Sequence, residues 1–236
     1  SWSTYFTRIG RIPDELVILH VDDHDDLMTP RVSIDGGRFV DMLTGLPVDL
    51  TLSSTVESAV RSGAVAQGSF LAPILHAARH VEIHLCQTRY AKERPGAWFV
   101  EPTFVRDSLL APGSLRPGVA LEPGQTTTGQ TRYLVTSDTD EWLADLPEGE
   151  VLLHVDFDYF NNRFNGDSDW HRTPDRHDPP VEDVLERIDQ MLASIRGAGR
   201  PLSATAAALS PGFFPAEMWE PAVSAFAAGI EPALRR

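Results

Sequence analysis

Apolar residues along the chain gather in short runs separated by polar or turn-forming stretches. Residues 16–21, Leu-Val-Ile-Leu-His-Val, are rich in β-branched side chains and lie between Pro13 and a run of carboxylates, the pattern of a buried parallel strand. Residues 81–85 and 151–155 repeat that design, and the small residues of 202–209 predict a further core strand before a turn at Ser210-Pro211-Gly212. The clearest helix covers 181–196. Val181, Val184, Leu185, Ile188, Leu192 and Ile195 recur there at the spacing of one apolar stripe, with Asp178-Pro179-Pro180 before it and Gly197 after it. Segments 55–61 and 70–78 also read as helical, as does 216–228, which Pro221 is expected to interrupt. Residues 29–50 carry Pro30, Gly36, Gly37, Gly45 and Pro47 and read as a long loop covering a site. The Gly/Pro/Thr-rich stretch 94–132 suggests hairpins. Strands alternating with helices predict a single α/β domain over residues 1–236, with a three-layer, mainly parallel sheet and helices on both faces.

Charge and cysteine usage narrow the function classes. Twenty Lys plus Arg against 34 Asp plus Glu give a net charge of −14, the wrong sign for holding a phosphate backbone, so no nucleic-acid partner is expected. An acidic chain suits cationic ligands and metal ions. No uninterrupted apolar stretch approaches the ~18 residues of a membrane span, so no membrane association is expected. The single cysteine, Cys86, reads as a small buried hydrophobe in a reducing, cytoplasmic setting. The sequence starts at Ser1-Trp2, and the expectation is that a short native segment precedes it.

Two of the predicted strands run directly into acid. Asp22-Asp23-His24-Asp25-Asp26 follows the first, and Asp156 and Asp158 follow the strand at 151–155. In extended chain Asp22, His24 and Asp26 would share one side. Their mutual repulsion is relieved if one or two divalent cations sit among them, and oxygen donors with an imidazole suit Mn²⁺, Fe²⁺ or Zn²⁺. Both acidic groups fall beyond the carboxyl ends of strands, where ligands bind in parallel α/β sheets.

Asp22-x-His24-x-Asp26 and Asp156-x-Asp158 resemble the two metal motifs of the ureohydrolases, the arginases and agmatinases, whose fold is shared by histone deacetylases. Gly68-Ser69-Phe70-Leu71-Ala72-Pro73, the continuation Asp158-Tyr159-Phe160-Asn161 and Ser210-Pro211-Gly212-Phe213 extend the likeness over most of the chain. They are similar to a divergent branch that includes peptide arginases, which convert arginine side chains in ribosomally made precursor peptides to ornithine. The resemblance implies two Mn²⁺ ions bridged by Asp22 and Asp156, one also held by Asp26 and the other by His24 and Asp158. Asp26 would be the catalytic proton acceptor, and the substrate an arginine-containing peptide. The Asp-Tyr-Phe-Asn continuation departs from free-arginine arginases, so their amino-acid recognition residues do not carry over.

Asn161, Asn162 and Ser210 are candidates for substrate contact because they follow the ends of predicted core strands. The family places a further His on the first ion, yet residues 1–19 contain none. It is expected upstream of Ser1, or else His20 or a distant His replaces it, or the site holds one metal. His20 and His154 otherwise read as packed residues beside the ligands, and His171 and His177 occupy a segment where a proton shuttle could stand. Two rival readings are a single-Zn²⁺ deacetylase-like amidohydrolase and a non-catalytic, metal-stabilised peptide-binding protein.

Overall fold

The computed structural model describes residues 2–88, 95–124, 131–172 and 177–234. The expectations for 94–132 and for the segment after Gly166 fall partly on 89–94, 125–130 and 173–176, which lie outside the described residues. In chain order the elements are α1 (Trp2–Ile9), β1 (Glu15–Val21), β2 (Val32–Asp35), β3 (Arg38–Asp41), β4 (Pro47–Val48), α2 (Ser53–Ser62), α3 (Leu71–Ala77) and β5 (His80–Cys86). They continue through β6 (Gly96–Arg106), β7 (Leu115–Pro123), β8 (Thr131–Thr136), α4 (Thr139–Leu143), β9 (Glu150–Asp156), α5 (Val181–Gly197), β10 (Leu202–Ala208) and α6 (Trp219–Ile230).

One seven-stranded sheet has the order β10-β9-β1-β5-β8-β6-β7. Its first five strands are parallel neighbours, and β6 and β7 add an antiparallel hairpin at one edge. Strand alternation then sorts the core. Val17, Leu19, Val21, Val151, Leu153 and Val155 face α5 and α6, where they meet Val184, Ile188, Leu192 and Phe226. Leu16, Ile18 and Leu152 face the opposite layer, with Trp2 and Phe6 of α1 and Leu71 and Ile74 of α3. Because the period is two, His20 and His154 belong to this second face, and the parallel register sets them side by side.

Two expectations are corrected. Residues 29–50 are not a plain loop but a three-stranded antiparallel sheet, β2-β3-β4, whose Val32 and Val48 pack on Ala59 of α2. Short strands joined by Gly-rich turns carry too little apolar periodicity to announce themselves. Pro221 does not interrupt the last helix, because it falls in the first turn of α6, where a missing N–H costs nothing. The short helices α1 and α4 were not anticipated from the sequence.

Candidate metal centre

The strand β1 ends at Val21, and residues 22–24 bend away rather than continuing extended. The convergence of Asp22, His24 and Asp26 therefore comes from a tight turn, not from strand alternation. Asp26 adopts φ 54°, a left-handed conformation that a non-glycine residue holds only when its surroundings impose it. Leu27 N–H donates to Asp25 Oδ1 at 3.1 Å and Met28 N–H to the Gly68 carbonyl at 2.9 Å. That second bond ties the turn to the segment before α3. A side chain at Gly68 would meet Met28 Sδ at 3.1 Å, a tight contact that the exposed Met28 side chain could relieve by shifting a few tenths of an ångström.

Two groups of donor atoms result, each lying within 4.8 Å of one another: His20, Asp22, Asp26 and His154 in one, and Asp22, His24 and Asp158 in the other. Asp22 belongs to both and faces them with different oxygens. Its Oδ2 is 3.1 Å from His20 Nε2, and its Oδ1 is 3.2 Å from His24 Nδ1. His20 Nε2 is 3.5 Å from Asp26 Oδ2, and His24 Nδ1 is 3.1 Å from Asp158 Oδ2. Donors at right angles around an ion with bonds of ~2.1 Å are ~3 Å apart, so these separations are short enough for each group to hold a cation. His24, 38% exposed, is the member that reaches the surface, beside the Phe213 ring at 5.0 Å.

Asp156 stands apart from both groups. Gln67 Nε2 donates to its Oδ2 at 2.8 Å and to Ser210 Oγ at 3.0 Å, while Asp156 Oδ1 is buried without a hydrogen-bond partner, as are Nδ1 of His20 and of His154. Buried polar atoms are usually hydrogen-bonded, so these three are donor atoms with capacity to spare at the centre. Behind the centre, His154 closes an apolar cavity of about 270 Å³ that Trp2, Phe6 and Phe70 also line.

The electrostatics follow from crowding. Burial pushes Asp156 up to about 9, with Asp158 and Asp22 adding to it. It also raises Asp158 to about 7 and Asp26 to about 6, against the pull of His24 and His20 respectively. Burial opposes the charge on Asp22 and on His20, but the hydrogen bonds between them win; Asp22 is held well below the usual carboxylate range and His20 raised to about 10. Asp158 and Asp22 raise His24 to about 11, and burial lowers His154 to about 3. Carboxylates forced to keep protons are what a bound cation would relieve.

The remaining predicted residues separate into distinct roles. Asn161 is fully buried and its Nδ2 donates to Asp178 Oδ1 and the Pro179 carbonyl, both at 3.0 Å. Its amide thereby holds the approach to α5. Asn162 lies nearer the centre, its Nδ2 3.4 Å from Asp23 Oδ2 and its Oδ1 without a partner. Ser210, at φ 43° and completely buried, meets the centre through Gln67. Asp23 faces away from both donor groups, accepting the Thr88 N–H at 3.1 Å. His171 is exposed, and His177 lies against Arg187 and the Phe160 carbonyl. His20 and Gln67 are the residues whose part at the centre sequence reasoning undervalued. Strand parity could have brought out His20, but nothing in the sequence marks Gln67.

The fold and the centre define an α/β protein with buried His/Asp clusters that could hold a metal ion. No protein-family model matches the chain, and no curated protein matches it.

Proposed function

We propose that the chain is a Mn²⁺-dependent hydrolase of the ureohydrolase type, acting on the guanidinium of arginine in a peptide to give urea and ornithine. The observation that carries this reading is the sharing of Asp22 between two donor groups through its two oxygens, which suits a pair of ions. His20, Asp22 and Asp26 would hold the first ion and Asp22, His24 and Asp158 the second, with the unpartnered Oδ1 of Asp156 available to either. Bound Mn²⁺ supplies charge neutralisation and water acidified toward neutral pH. Asp26, held to His20, accepts the proton from the attacking water. Oxygen adds to the guanidinium carbon, the bond to the side-chain nitrogen breaks, urea leaves, and that nitrogen takes up the proton as the ornithine amine. The apolar wall behind His154 keeps the local dielectric low, which strengthens the electrostatic contacts within the centre.

A single-ion amidohydrolase is the second reading, favoured by the engagement of Asp156 with Gln67 outside both donor groups. Arginine-containing peptides incubated with the protein and Mn²⁺ test the first reading by mass spectrometry. Loss of the mass of CN₂H₂ from arginine, abolished by a chelator, is the expected outcome. Unchanged arginine together with deacylation of an acyl-lysine peptide would transfer support to the second.

A further inference from the structure

Gln67 is an exposed residue whose amide is nonetheless committed inward. Its Nε2 donates to Asp156 Oδ2 at 2.8 Å and to Ser210 Oγ at 3.0 Å, which uses both N–H donors that a glutamine amide carries. An ionised carboxylate only accepts, so the NH₂ end of the amide is the end that faces Asp156. The two residues it meets are both closed to solvent, Asp156 at 2% and Ser210 at 0% exposure.

The backbone sets each end of this contact. Ser210 holds φ 43°, and its carbonyl accepts the N–H groups of Phe213 and Phe214, both at 2.9 Å. Its hydroxyl therefore stands where a tight, imposed turn puts it. Gln67 opens the short turn Gln67–Ser69. That turn is pinned by the Ala66 N–H on Ser69 Oγ and by the Met28 N–H on the Gly68 carbonyl, both at 2.9 Å. It ties together the end of β9, the turn after β10 and the segment that follows Asp26.

The consequence falls on Asp156. A carboxylate can rotate about its Cβ–Cγ bond and exchange its two oxygens. A fixed donor on Oδ2 stops that exchange and leaves Oδ1, buried without a partner, as the oxygen with a free lone pair. The charge of the donor matters as well. An amide is neutral, so it orients the carboxylate and leaves its negative charge for a cation; lysine or arginine in its place would cancel that charge, and an ionised glutamate could not donate.

Resting on the reading of the centre given above, we infer that Gln67 is the positioning residue of Asp156: it holds Oδ2, presents Oδ1 to the ions, and is itself held by Ser210. Its effect on the ions passes through Asp156.

A double-mutant cycle on Mn²⁺ affinity tests this, measured by calorimetry on the full chain as wild type, Gln67→Leu, Asp156→Ala and the pair. Leucine loses the donor and suits the cleft that Gln67 lines with Val65, Phe70 and Ala208; circular dichroism shows that each variant is folded. Gln67→Leu should weaken Mn²⁺ binding roughly tenfold, the low end of what losing the outer partner of a metal ligand costs. With Asp156 already alanine, the same substitution should change affinity by less than about twofold. Ser210→Ala, which removes one of the two acceptors of the amide, should weaken binding in the same direction and likewise lose its effect without the Asp156 carboxylate. Wild-type affinity in Gln67→Leu, wild-type affinity in Asp156→Ala, or a Gln67→Leu loss that persists in full beside Asp156→Ala would overturn the inference. Urea release assayed in parallel separates the two readings. The expected cycle without any urea from the wild type would sink the hydrolase and leave the positioning role, whereas urea release with unaltered Mn²⁺ affinity in Gln67→Leu would do the reverse.

Discussion

At the scale of single residues, the centre is built by giving neighbouring carboxylates opposite duties. Asp22 and Asp23 are adjacent and both buried, yet Asp22 turns its oxygens to His20 and His24 while Asp23 accepts the Thr88 N–H. Asp23→Asn keeps an acceptor for that N–H and removes no metal donor, so it should leave Mn²⁺ affinity within about threefold of wild type, as read by calorimetry. Asp156→Ala should instead weaken Mn²⁺ binding by more than tenfold if the free Oδ1 joins the ions; an unchanged affinity would show that Gln67 is the true partner of Asp156. The acidic motifs were legible because two apolar strands each run into carboxylates two apart, which repel one another unless a cation or a proton offsets them. His20 was harder to weigh. An imidazole inside a strand looks the same in sequence whether it packs or ligates, and only the register beside β9 shows it aimed at Asp22.

The elements hold those residues in place through backbone contacts that leave no periodic trace. The short turn Phe157–Tyr159 carries Asp158, and Arg187 of α5 clamps it, donating to the Phe160 carbonyl at 2.7 Å and the Tyr159 carbonyl at 2.9 Å. Its guanidinium also lies over the Tyr159 ring, 5.2 Å from the centroid. Arg187→Met should cost about 1–3 kcal/mol of stability by leaving these carbonyls unmet, and it should loosen the Asp158 group more than the His20 group. Mn²⁺ titration followed by electron paramagnetic resonance checks this as a selective weakening of one ion; equal weakening of both would assign Arg187 to stability alone. The core strands β1, β5 and β9 and the long helix α5 were readable because each buries a continuous run or a stripe, and β10 because its small residues precede the turn at Ser210-Pro211-Gly212. The β2-β3-β4 sheet was not, since its order comes from contact with α2 and from turns such as Asp41, which accepts the Leu43 N–H at 2.8 Å.

Across the whole molecule, the acidic centre couples stability to pH and to metal. The raised Asp156, Asp158, His20 and His24 all bind protons more tightly folded than unfolded, so their contribution is lost as pH rises toward their folded values. Lowered His154 opposes this only below its ordinary value near 6.5, and lowered Asp22 only in strong acid. Between pH 6.5 and 9 the metal-free protein should therefore lose stability, with a fall in Tm of at least ~3 °C, the shift that about 1 kcal/mol gives a domain of this size. Differential scanning calorimetry should show the fall shrinking when Mn²⁺ is present; a Tm that rises over this range would contradict the electrostatics. Among the described residues no helix is long and apolar enough to cross a membrane.

The central claim is that one carboxylate, Asp22, serves two ions, and metal stoichiometry tests it most directly. Elemental analysis after Mn²⁺ loading and desalting should find two ions per chain in the wild type, one in His20→Ala, and none retained in Asp22→Asn. Two ions retained by Asp22→Asn would contradict the account.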